Sequence, residues 1–348
     1  MIIILDREVT MSELVSIIIT TCHGTNKLIR AIESVLNQTY KAREIIVVDD
    51  NGKDTQEQTD TEKMIHKYIE SRKIKYIVHD VNRNGAVARN TGVRNANGKY
   101  IAFLDDDDFF FSSRLQEFVC AAEVHQADMV YSDVLFVRED NMVGTMTAKS
   151  NGFSYKDLLM DQSLLGTGSN IFIRKNIYES INGFDETFFR YQDVEFMIRA
   201  LQKGKIIGIN QLLVAKDITN ARFYPQYNRF LRAQEMLITK FRSELNNLDR
   251  MEMRNALYTK RQELYYSACV SRNKKDMHDA FELLQSDILD MSVEEVVKVK
   301  IKGFYLGYIY NQINFIRKKK QIETNKKMIR NSTEVFLSEL NYLLSIAS

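Results

Sequence analysis

The sequence is poor in cysteine, the residue whose disulfide bonds stabilise small secreted proteins. Its three cysteines, Cys22, Cys120 and Cys269, are scattered, odd in number and free of any CxxC spacing. This pattern argues against a disulfide framework and a structural zinc site, and it fits a reducing compartment. Tryptophan is absent and proline occurs once, at Pro225. We interpret both as compositional habits of the source organism and not as chemistry.

Long apolar runs are also missing. The apolar run that opens MIIILDREVT ends at Asp6 and is too short for the core of a signal peptide. No stretch approaches the ~18 apolar residues that predict a transmembrane helix. We therefore expect a cytoplasmic protein. Met11 is an alternative start, because the first predicted strand begins directly after it.

Two further absences narrow the function. The formal charge of +2 gives no bulk reason to expect nucleic acid as a partner. Neither GxxxxGK[ST] nor GxGxxG occurs, so phosphate loops of the P-loop or dinucleotide type are not indicated. With 45% apolar and 27% charged residues over 348 positions, the composition is that of a folded chain long enough for two domains.

The first half of the chain alternates between strands and helices. Buried strands are predicted where continuous apolar runs occur, at 14–21, 44–51, 73–80 and 99–108. Helices are predicted between them, at 26–38, 57–72 and 85–96. Strands that alternate with helices indicate a doubly wound α/β sheet, in which ligands collect at the carboxyl ends of the strands.

The predicted secondary structure changes from mixed to helical after Pro225. Before it, strand character persists at 128–139, 170–175 and 205–216. After it, helical spacing of apolar residues dominates, in the segments 227–246, 249–271, 275–290, 293–318 and 331–346. We predict an α/β domain at 1–225 and an all-α domain at 226–348.

Acidic residues end two of the predicted strands. LDDDDFF at 104–110 places four acids in a row, and Asp49 with Asp50 ends another strand. Adjacent carboxylates repel each other unless a cation is present, and hard oxygen ligands favour Mg²⁺ or Mn²⁺. The alternative for the first group is a solvated turn or a helix N-terminus, and for the second a tight turn made by DDNG.

Five segments together resemble the family 2 glycosyltransferases of the GT-A fold. They are VSIIITTCHGTNKLIRAIESVLNQTY, EIIVVDDN, NRNGAVARNTGVRNANGKYIAFLDDDD, INGFDETF and QDVEF, in this order over residues 14–225. The resemblance implies a Rossmann-like, nucleotide-sugar-binding domain, and it does not extend to the helical remainder.

The resemblance also implies residue roles on the donor side. Thr20 and Asp50 would face the nucleotide base and ribose, with the Asp50 carboxylate accepting the uracil imide N–H. Arg89 would lie near the nucleotide or the diphosphate, where a guanidinium suits phosphate. Its alternative is a surface arginine of a helix.

The family's DxD motif corresponds to Asp105, Asp106 and Asp107. Asp105 and Asp106 would bind the nucleotide sugar, Asp106 near the ribose, and Asp107 would bind the Mn²⁺ or Mg²⁺ ion that bridges to the diphosphate. Because the run is DDDD, the division of roles among its members is left open.

The catalytic base of the family belongs to an acidic pair that opens a helix after GFDE. This chain has Gln192 and Asp193 there, followed by Glu195. The first acid of the pair is thus replaced by glutamine, and Asp193 is the predicted base. A single displacement with the base opposite the leaving group inverts the anomeric centre. The alternative for Asp193 is a helix N-cap.

These observations predict an inverting, metal-dependent transfer from a nucleotide sugar, with UDP expected, to a hydroxyl of a glycan. The acceptor would be a bacterial surface or capsular polysaccharide intermediate, lipid-linked or protein-linked. Two rivals remain: a catalytically impaired glycosyltransferase-like binding module, and a nucleotidyltransferase. The missing Gly-rich loop weighs against the second, and Gln192 keeps the first open.

One feature of the helical part stands out. Residues 293–330 hold ten Lys and Arg against three Glu, around the aromatic stretch GFYLGYIYNQINFI. A basic amphipathic segment with aromatics is typical of peripheral membrane contact. A core helix with a solvated basic end, or a homo-oligomer contact, are the alternatives.

Overall fold

The fold was examined in a computed structural model, which describes residues 13–23, 26–139, 141–219, 226–288, 290–304 and 334–345. The chain forms two compact units. The first contains Met1–Ser154, Leu164–Thr219 and Ser332–Ser348, and the second Tyr155–Ser163 and Asn220–Asn331. The change of unit after Thr219 lies close to the predicted boundary. Two short segments depart from a single linear boundary. Residues 155–163 belong to the second unit although they precede Pro225, and residues 332–348 belong to the first unit although they follow it.

The first unit contains an α/β fold. Its strands are β1 Val15–Thr21, β2 Arg43–Asp49, β3 Lys75–Val78, β4 Tyr100–Asp105, β5 Phe109–Phe110, β6 Met129–Arg138, β7 Asn141–Met146, β8 Phe172–Arg174 and β9 Ile206–Asp217. Its helices up to residue 219 are α1 Lys27–Leu36, α2 Gln56–Glu70, α3 Gly85–Arg94, α4 Arg114–Val124, α6 Lys175–Ser180 and α7 Gln192–Leu201. Short 3₁₀ turns occupy Gln162–Leu165 and Gly168–Asn170.

The strands form one mixed sheet of nine strands in the described residues. The order is β3-β2-β1-β4-β8-β6-β9-β5, with β7 paired to β6. Strands β1 to β4 are parallel, whereas β8 runs antiparallel to both β4 and β6. The parallel half contains the strand–helix alternation seen in the sequence. Strand β6 was predicted at 128–139, whereas β7 and the short β5 were not, because their segments lack a clear apolar alternation.

Both faces of the parallel half are covered by helices, so its strands are apolar on both sides. Ile17, Ile18 and Ile19 of β1 are all fully buried. One side packs against Leu28 and Ile32 of α1 within the main hydrophobic core. This double burial explains why the strands appear as continuous apolar runs in the sequence.

Glycine allows α3 to lie close to the sheet. A Cβ atom added to Gly92 would lie 2.2 Å from Cγ2 of Ile18 on β1, far inside van der Waals contact. The close approach brings α3, and with it Arg89 and Asn90, against the strands that end in acids. Gly92→Ala should therefore disturb the position of α3.

A C-terminal helix, α13 Glu334–Ser345, belongs to the first unit. The Glu339 carboxylate accepts a hydrogen bond from the backbone N–H of Ser112, just before α4. Ser34 of α1 and Asn37, directly after α1, line a groove together with Tyr342 of α13. The Glu339 contact satisfies a backbone N–H two residues before α4 begins.

The second unit is helical in its described residues. It contains α5 Tyr155–Met160, α8 Tyr227–Lys240, α9 Arg242–Asn246, α10 Arg250–Ser271, α11 Lys274–Asp287 and α12 Val293–Phe304. Most of the basic and aromatic stretch predicted for membrane contact, from 305 to 330, lies outside the described residues. Within the described parts of the chain, no helix combines the length and apolarity needed to cross a bilayer.

A buried lysine lies inside this second unit. Lys260 of α10 is 2% exposed, and its Nζ donates to the carbonyls of Leu159 on α5 and Ala256 on α10. Burial lowers the pKa of Lys260 to about 8. Because desolvation disfavours the charged form, the folded chain loses this proton at a lower pH than the unfolded chain does.

Lys260→Met should therefore change the pH dependence of stability. Between about pH 8 and pH 10.5 the unfolded chain keeps the proton on Lys260 and the folded chain does not, so the free energy of unfolding of the wild type rises with pH. Relative to the variant, that free energy should rise by up to about 1.4 kcal/mol per pH unit. Melting temperatures of both proteins from pH 7 to pH 10 measure it. A wild-type-to-variant difference that stays constant with pH would contradict the assignment.

Candidate active site

The acids predicted at strand ends lie at one edge of the sheet. In the parallel sheet Thr20 of β1 is aligned with Val48 of β2 and with Asp105 of β4. The carboxyl ends of the three strands therefore meet, as the topology requires. Thr20 is half-buried at this edge, and Asp50 follows β2 directly.

The four consecutive acids are not equivalent. Asp108 is buried, and its carboxylate accepts hydrogen bonds from Thr167 Oγ1 at 2.9 Å, Ser169 Oγ at 2.6 Å and the backbone N–H of Asp217 at 3.0 Å. It ties the end of β4 to the 167–170 turn and to the end of β9. Asp105, Asp106 and Asp107 are only half-buried. These contacts indicate a structural role for Asp108, whereas the division of roles among Asp105, Asp106 and Asp107 stays a prediction.

Burial and mutual repulsion raise the pKa values of Asp106, Asp107 and Asp108. Desolvation, with repulsion from Asp105 and Asp108, raises the pKa of Asp106 to about 6. Desolvation and the negative charges of Asp105, Asp106 and Asp217 raise the pKa of Asp107 to about 7. The pKa of Asp108 rises to about 8, mainly through burial. A cation at this edge would relieve the repulsion.

Side chains of β1 and α1 hold the acidic turn. Thr21 Oγ1 donates to Asp106 Oδ2 at 2.5 Å. Arg30 is fully buried and donates to the Asp107 backbone carbonyl at 2.6 Å and to Asp217 Oδ2 at 3.0 Å. Burial alone would raise the pKa of Asp217. The hydrogen bonds from Lys27, 2.8 Å away, and from Arg30 outweigh that effect, so the pKa of Asp217 is lowered. The turn is thus anchored by groups that were not singled out in the sequence.

Arg89 joins the donor-side acids to the predicted catalytic helix. Its Nη2 donates to Asp105 Oδ1 at 2.6 Å, and its Nη1 donates to Gln192 Oε1 at 3.0 Å. Gln192 in turn donates through Nε2 to the carbonyl of Phe188 at 2.7 Å. The side chain of Arg89 therefore lies inside the candidate site, and the alternative of a surface helix arginine does not hold.

Asp193 lies near the same point. A Cβ atom added to Gly168 would lie 3.7 Å from Asp193 Cβ, 3.8 Å from Arg89 Nη2 and 4.0 Å from Asp105 Oδ2. A side chain at position 168 would thus occupy the space between Asp193, Arg89 and Asp105. Asp193 is in the first turn of α7, directly after Gln192. The helix begins after Tyr191, whose φ of 60° is in the left-handed region.

Glu195 has a different role from Asp193. It is fully buried, and its carboxylate accepts hydrogen bonds from Arg199 Nε at 2.5 Å and Nη2 at 2.7 Å. Arg199 also donates to the carbonyls of Ile181 and Gly183. This pair fastens α7 to the GFDE turn. Asp193 is half-buried and lies beside Arg89, so it is the better placed of the two for reaction chemistry.

Asn90, next to Arg89 on α3, organises the GFDE turn. Its Nδ2 donates to the carbonyl of Phe184 at 2.9 Å and its Oδ1 accepts from the Phe184 N–H at 2.9 Å and from the Tyr178 hydroxyl. Gly183 has φ of 69°, and a Cβ atom there would lie 2.7 Å from Asn90 Oδ1. The turn therefore requires glycine, and α3 positions it.

Asp50 lies at the edge but is well supplied with donors. Its carboxylate lies 2.7 Å from His79 Nδ1 and accepts from the backbone N–H groups of Arg83 and Asn84. Asn84 then caps α3 through the N–H groups of Ala86 and Val87. A carboxylate offers about four acceptor positions, so one is left for a base. The predicted contact of Asp50 with uracil stays a prediction, as does that of Thr20 with the nucleotide.

The residues of this edge fit a divalent cation. Within the described residues, no group of three His, Cys, Asp or Glu side chains is arranged to hold a metal by protein ligands alone. Mg²⁺ commonly uses one or two carboxylates together with substrate phosphates. Asp107, beside the repelling charges of Asp105 and Asp106, matches that kind of site. The fit is one of donor chemistry, and metal dependence itself stays a prediction.

Sequence reasoning missed the 167–170 turn and the anchors on α1. The turn was treated as part of a polar stretch, yet it supplies Thr167, Gly168 and Ser169 to the site. Its signal was present in the small, hydroxyl-rich letters GTGSN at 166–170. Lys27 and Arg30 were visible only as positions on a helix.

Known proteins are similar to this chain, chiefly over its α/β part. Residues 16–181 match the family model described as Glycosyl transferase family 2. An uncharacterized glycosyltransferase from Rickettsia felis is 40% identical over 110 residues, covering 32% of this chain and 17% of its own length. The E. coli UDP-Glc:alpha-D-GlcNAc-diphosphoundecaprenol beta-1,3-glucosyltransferase WfgD is 29% identical over 175 residues, which is 47% of this chain and 67% of WfgD.

Solved structures share the fold. TarS from S. aureus aligns with a TM-score of 0.57 and 16% identity over 84% of this chain and 52% of TarS. Its 1-349 fragment in complex with UDP-GlcNAc aligns with a TM-score of 0.50 and 16% identity, over 79% of this chain and 89% of the fragment. At this identity the likeness concerns the fold alone. The chain spans about half of TarS and less than a fifth of the R. felis relative.

The fold and the acid-lined edge define a GT-A domain followed by helices, as predicted. Over residues 16–181 the chain matches the family 2 glycosyltransferases, in agreement with the resemblance seen in its sequence.

The structural role of Asp108 can be tested by removing its carboxylate. Asp108→Ala leaves three donors without their acceptor, and a buried unsatisfied group costs about 1–3 kcal/mol. The variant should therefore melt several degrees below the wild type by circular dichroism. Asp107→Ala is the matched control, since it removes a half-buried acid from the same run and relieves repulsion. Equal melting temperatures for the two variants would contradict the division of roles.

Proposed function

We propose that the protein transfers a sugar from a nucleotide-sugar donor to a hydroxyl of a glycan acceptor, with inversion at the anomeric centre. The observation that carries the proposal is the fork of Arg89. It joins Asp105 of the acidic run to Gln192, whose neighbour Asp193 faces the same space beside Gly168. Donor-side acids and a candidate base are thus gathered around one point.

UDP is the nucleotide that we propose for the donor. WfgD, whose name specifies UDP-Glc as the donor, is similar to this chain over nearly half of its length. The TarS fragment of the same fold was solved with UDP-GlcNAc. In this chain Asp50 and Thr20 would lie toward the base and ribose, and Asp105 and Asp106 toward the nucleotide sugar. The sugar itself is left open by these relatives, which differ in donor.

Asp193 is proposed as the general base. Its carboxylate would take the proton of the acceptor hydroxyl as that oxygen bonds to the anomeric carbon and the bond to the diphosphate oxygen breaks. Arg89, a cation between Asp105 and Gln192, would orient the donor's phosphates while keeping α7 in place. Attack from the side opposite the leaving group produces inversion.

Asp107 would hold a Mn²⁺ or Mg²⁺ ion, with Asp105 and Asp106 nearby. When bound, such an ion supplies charge neutralisation to the departing nucleoside diphosphate. The backbone around Asp107 is held in two places. The Asp107 carbonyl accepts a hydrogen bond from Arg30, and the neighbouring Asp108 carboxylate accepts hydrogen bonds from Thr167 and Ser169. Each of these contacts keeps the acidic turn in shape.

The proposed acceptor is a lipid-linked or protein-linked glycan intermediate. The name of WfgD includes a diphosphoundecaprenol-linked sugar as acceptor, which favours a lipid-linked intermediate. A catalytically impaired binding module remains the competing proposal, because Gln192 occupies the first place of the acidic pair. Release of UDP from UDP-sugars in the absence of acceptor separates the two, since a binding module releases none.

The metal role of Asp107 can be tested by calorimetry. Asp107→Ala should abolish turnover and the Mn²⁺-dependent part of UDP binding, because the proposed ligand is lost while the other contacts of the turn remain. UDP titrations with and without Mn²⁺ compare wild type and variant. If the variant binds UDP with the same Mn²⁺ enhancement as the wild type, the assignment of Asp107 is wrong.

The base can be tested with two neighbouring acids. Asp193→Asn keeps the size of the side chain and removes its basicity, so sugar transfer should fall by at least ~10²-fold while UDP binding survives. Glu195→Gln should act mainly on stability, because Glu195 is paired with Arg199. Thermal melts and initial rates of both variants measure the two effects.

Gln192→Glu serves as the control for the missing acid. It restores the usual pair, and transfer should stay within about tenfold of the wild type, since the neighbouring Asp193 performs the general-base step. A normal rate for Asp193→Asn together with an inactive but folded Glu195→Gln would move the base to Glu195.

A further inference from the structure

His79 follows β3 directly and is buried between two polar side chains. The residue is 7% exposed. Its Nδ1 lies 2.7 Å from Asp50 Oδ1, and its Nε2 lies 2.9 Å from Thr91 Oγ1 on α3. Because both ring nitrogens have a partner, the imidazole is held in one orientation beside the Asp50 carboxylate.

The two partners determine which ring nitrogen donates. An ionised carboxylate only accepts hydrogen bonds, so Nδ1 of His79 donates to Asp50. In a neutral ring Nε2 then accepts, and the Thr91 hydroxyl donates to it. Arg94 Nη2 donates to Thr91 Oγ1 at 2.8 Å, which leaves the hydroxyl proton of Thr91 for His79. The ring therefore presents an N–H group to Asp50.

The donors around Asp50 leave its carboxylate with one open acceptor position. Oδ1 accepts from His79 Nδ1 and, at 3.0 Å, from the backbone N–H of Arg83. Oδ2 accepts from the backbone N–H of Asn84 at 2.9 Å. Since each carboxylate oxygen offers about two acceptor positions, the open one belongs to Oδ2. The Asp50 side chain is 4% exposed, so its orientation is closely defined.

The ends of β2 and β3 are already joined by their backbones. The N–H of His79 donates to the carbonyl of Asp49 at 2.9 Å, and the carbonyl of His79 accepts from the N–H of Lys53 at 2.9 Å. These bonds do not involve the imidazole. What the ring adds is the contact with Asp50 Oδ1, which determines how the carboxylate is turned.

We propose that His79 is a positioning residue for nucleobase recognition, which orients Asp50 so that a single acceptor position on Oδ2 meets the base. This inference rests on the proposed function, in which Asp50 lies toward the base of the donor. Uracil carries an N–H group at N3, whereas cytosine has an unprotonated nitrogen there. A site with one acceptor therefore favours uracil and leaves an unpaired polar contact with cytosine.

Calorimetric titration of the full chain with UDP and with CDP, both in the presence of Mn²⁺, tests the inference. The wild type should bind UDP at least about tenfold more tightly than CDP, because a hydrogen bond to a charged acceptor is involved. His79→Leu removes the donor, opens a second acceptor position on Oδ1 and leaves room for the carboxylate to turn. Its preference for UDP should fall to about threefold or less.

Two further substitutions at the same position separate orientation from packing. In His79→Asn the amide nitrogen is as many bonds from the backbone as Nδ1, so the donor to Asp50 is kept and most of the preference for UDP should return. In His79→Gln the amide reaches the place of Nε2, toward Thr91, so the preference should be lost as in His79→Leu. A polar side chain at 79 also keeps the test valid if His79→Leu does not fold.

Tyr76→Phe is the matched control. It removes the hydroxyl on β3 that donates to Asp49 Oδ2 at 2.6 Å, the carboxylate next to Asp50, and should leave the ratio of UDP to CDP affinity unchanged.

The outcomes separate this inference from the proposed function. If the wild type prefers UDP and both His79→Leu and His79→Gln keep that preference, or lose affinity for UDP and CDP by the same factor, the role of His79 is wrong and the proposed donor stands. The same ratio lost in Tyr76→Phe would also overturn that role, since it would indicate a general loosening around β3. A wild type that binds no UDP would overturn the proposed donor and this role together.

Discussion

The repulsion among four consecutive carboxylates at the end of β4 is the constraint on which the site depends. Such a run is tolerated in a folded chain when its acids receive hydrogen-bond donors, keep a proton or lie near a cation. Asp108 receives two hydroxyls and a backbone N–H, and Asp106 receives Thr21. Asp105 receives Arg89. Asp107 faces the negative charges of Asp105, Asp106 and Asp217, and a metal ion bound to a diphosphate would be most stabilising there.

The same constraint couples the two sides of the site. Arg89 neutralises Asp105 with one nitrogen and holds Gln192 with another. A neutral amide at 192 adds no second negative charge to this fork, so a donor's phosphates would meet less repulsion there than beside two carboxylates. Asn90, one residue further on α3, holds the turn that precedes α7. One helix therefore positions both the donor-side acids and the candidate base.

Much of this arrangement could be predicted from sequence, because it follows from local patterns. Strands buried on both faces are continuous apolar runs, so β1, β2 and β4 were predicted within three residues of their observed ends. What could not be predicted depends on partners far apart in the chain. The contacts of Asp108 span 59 to 109 residues. Glu195 and Arg199 are only four residues apart, but the full burial that distinguishes Glu195 from Asp193 depends on how α7 packs in the folded chain. The hairpin strand β7 was missed because Gly144 and Thr145 interrupt its apolar pattern.

A crystal structure of the chain with UDP and Mn²⁺, with the metal located by its anomalous scattering, tests the central claim most directly. The account predicts manganese bound by the Asp107 carboxylate and by the diphosphate, with Asp108 still bonded to Thr167 and Ser169 and with Arg89 still between Asp105 and Gln192. Manganese bound by Asp108 or away from the acidic run, or a UDP molecule that leaves the 105–107 edge untouched, would contradict it.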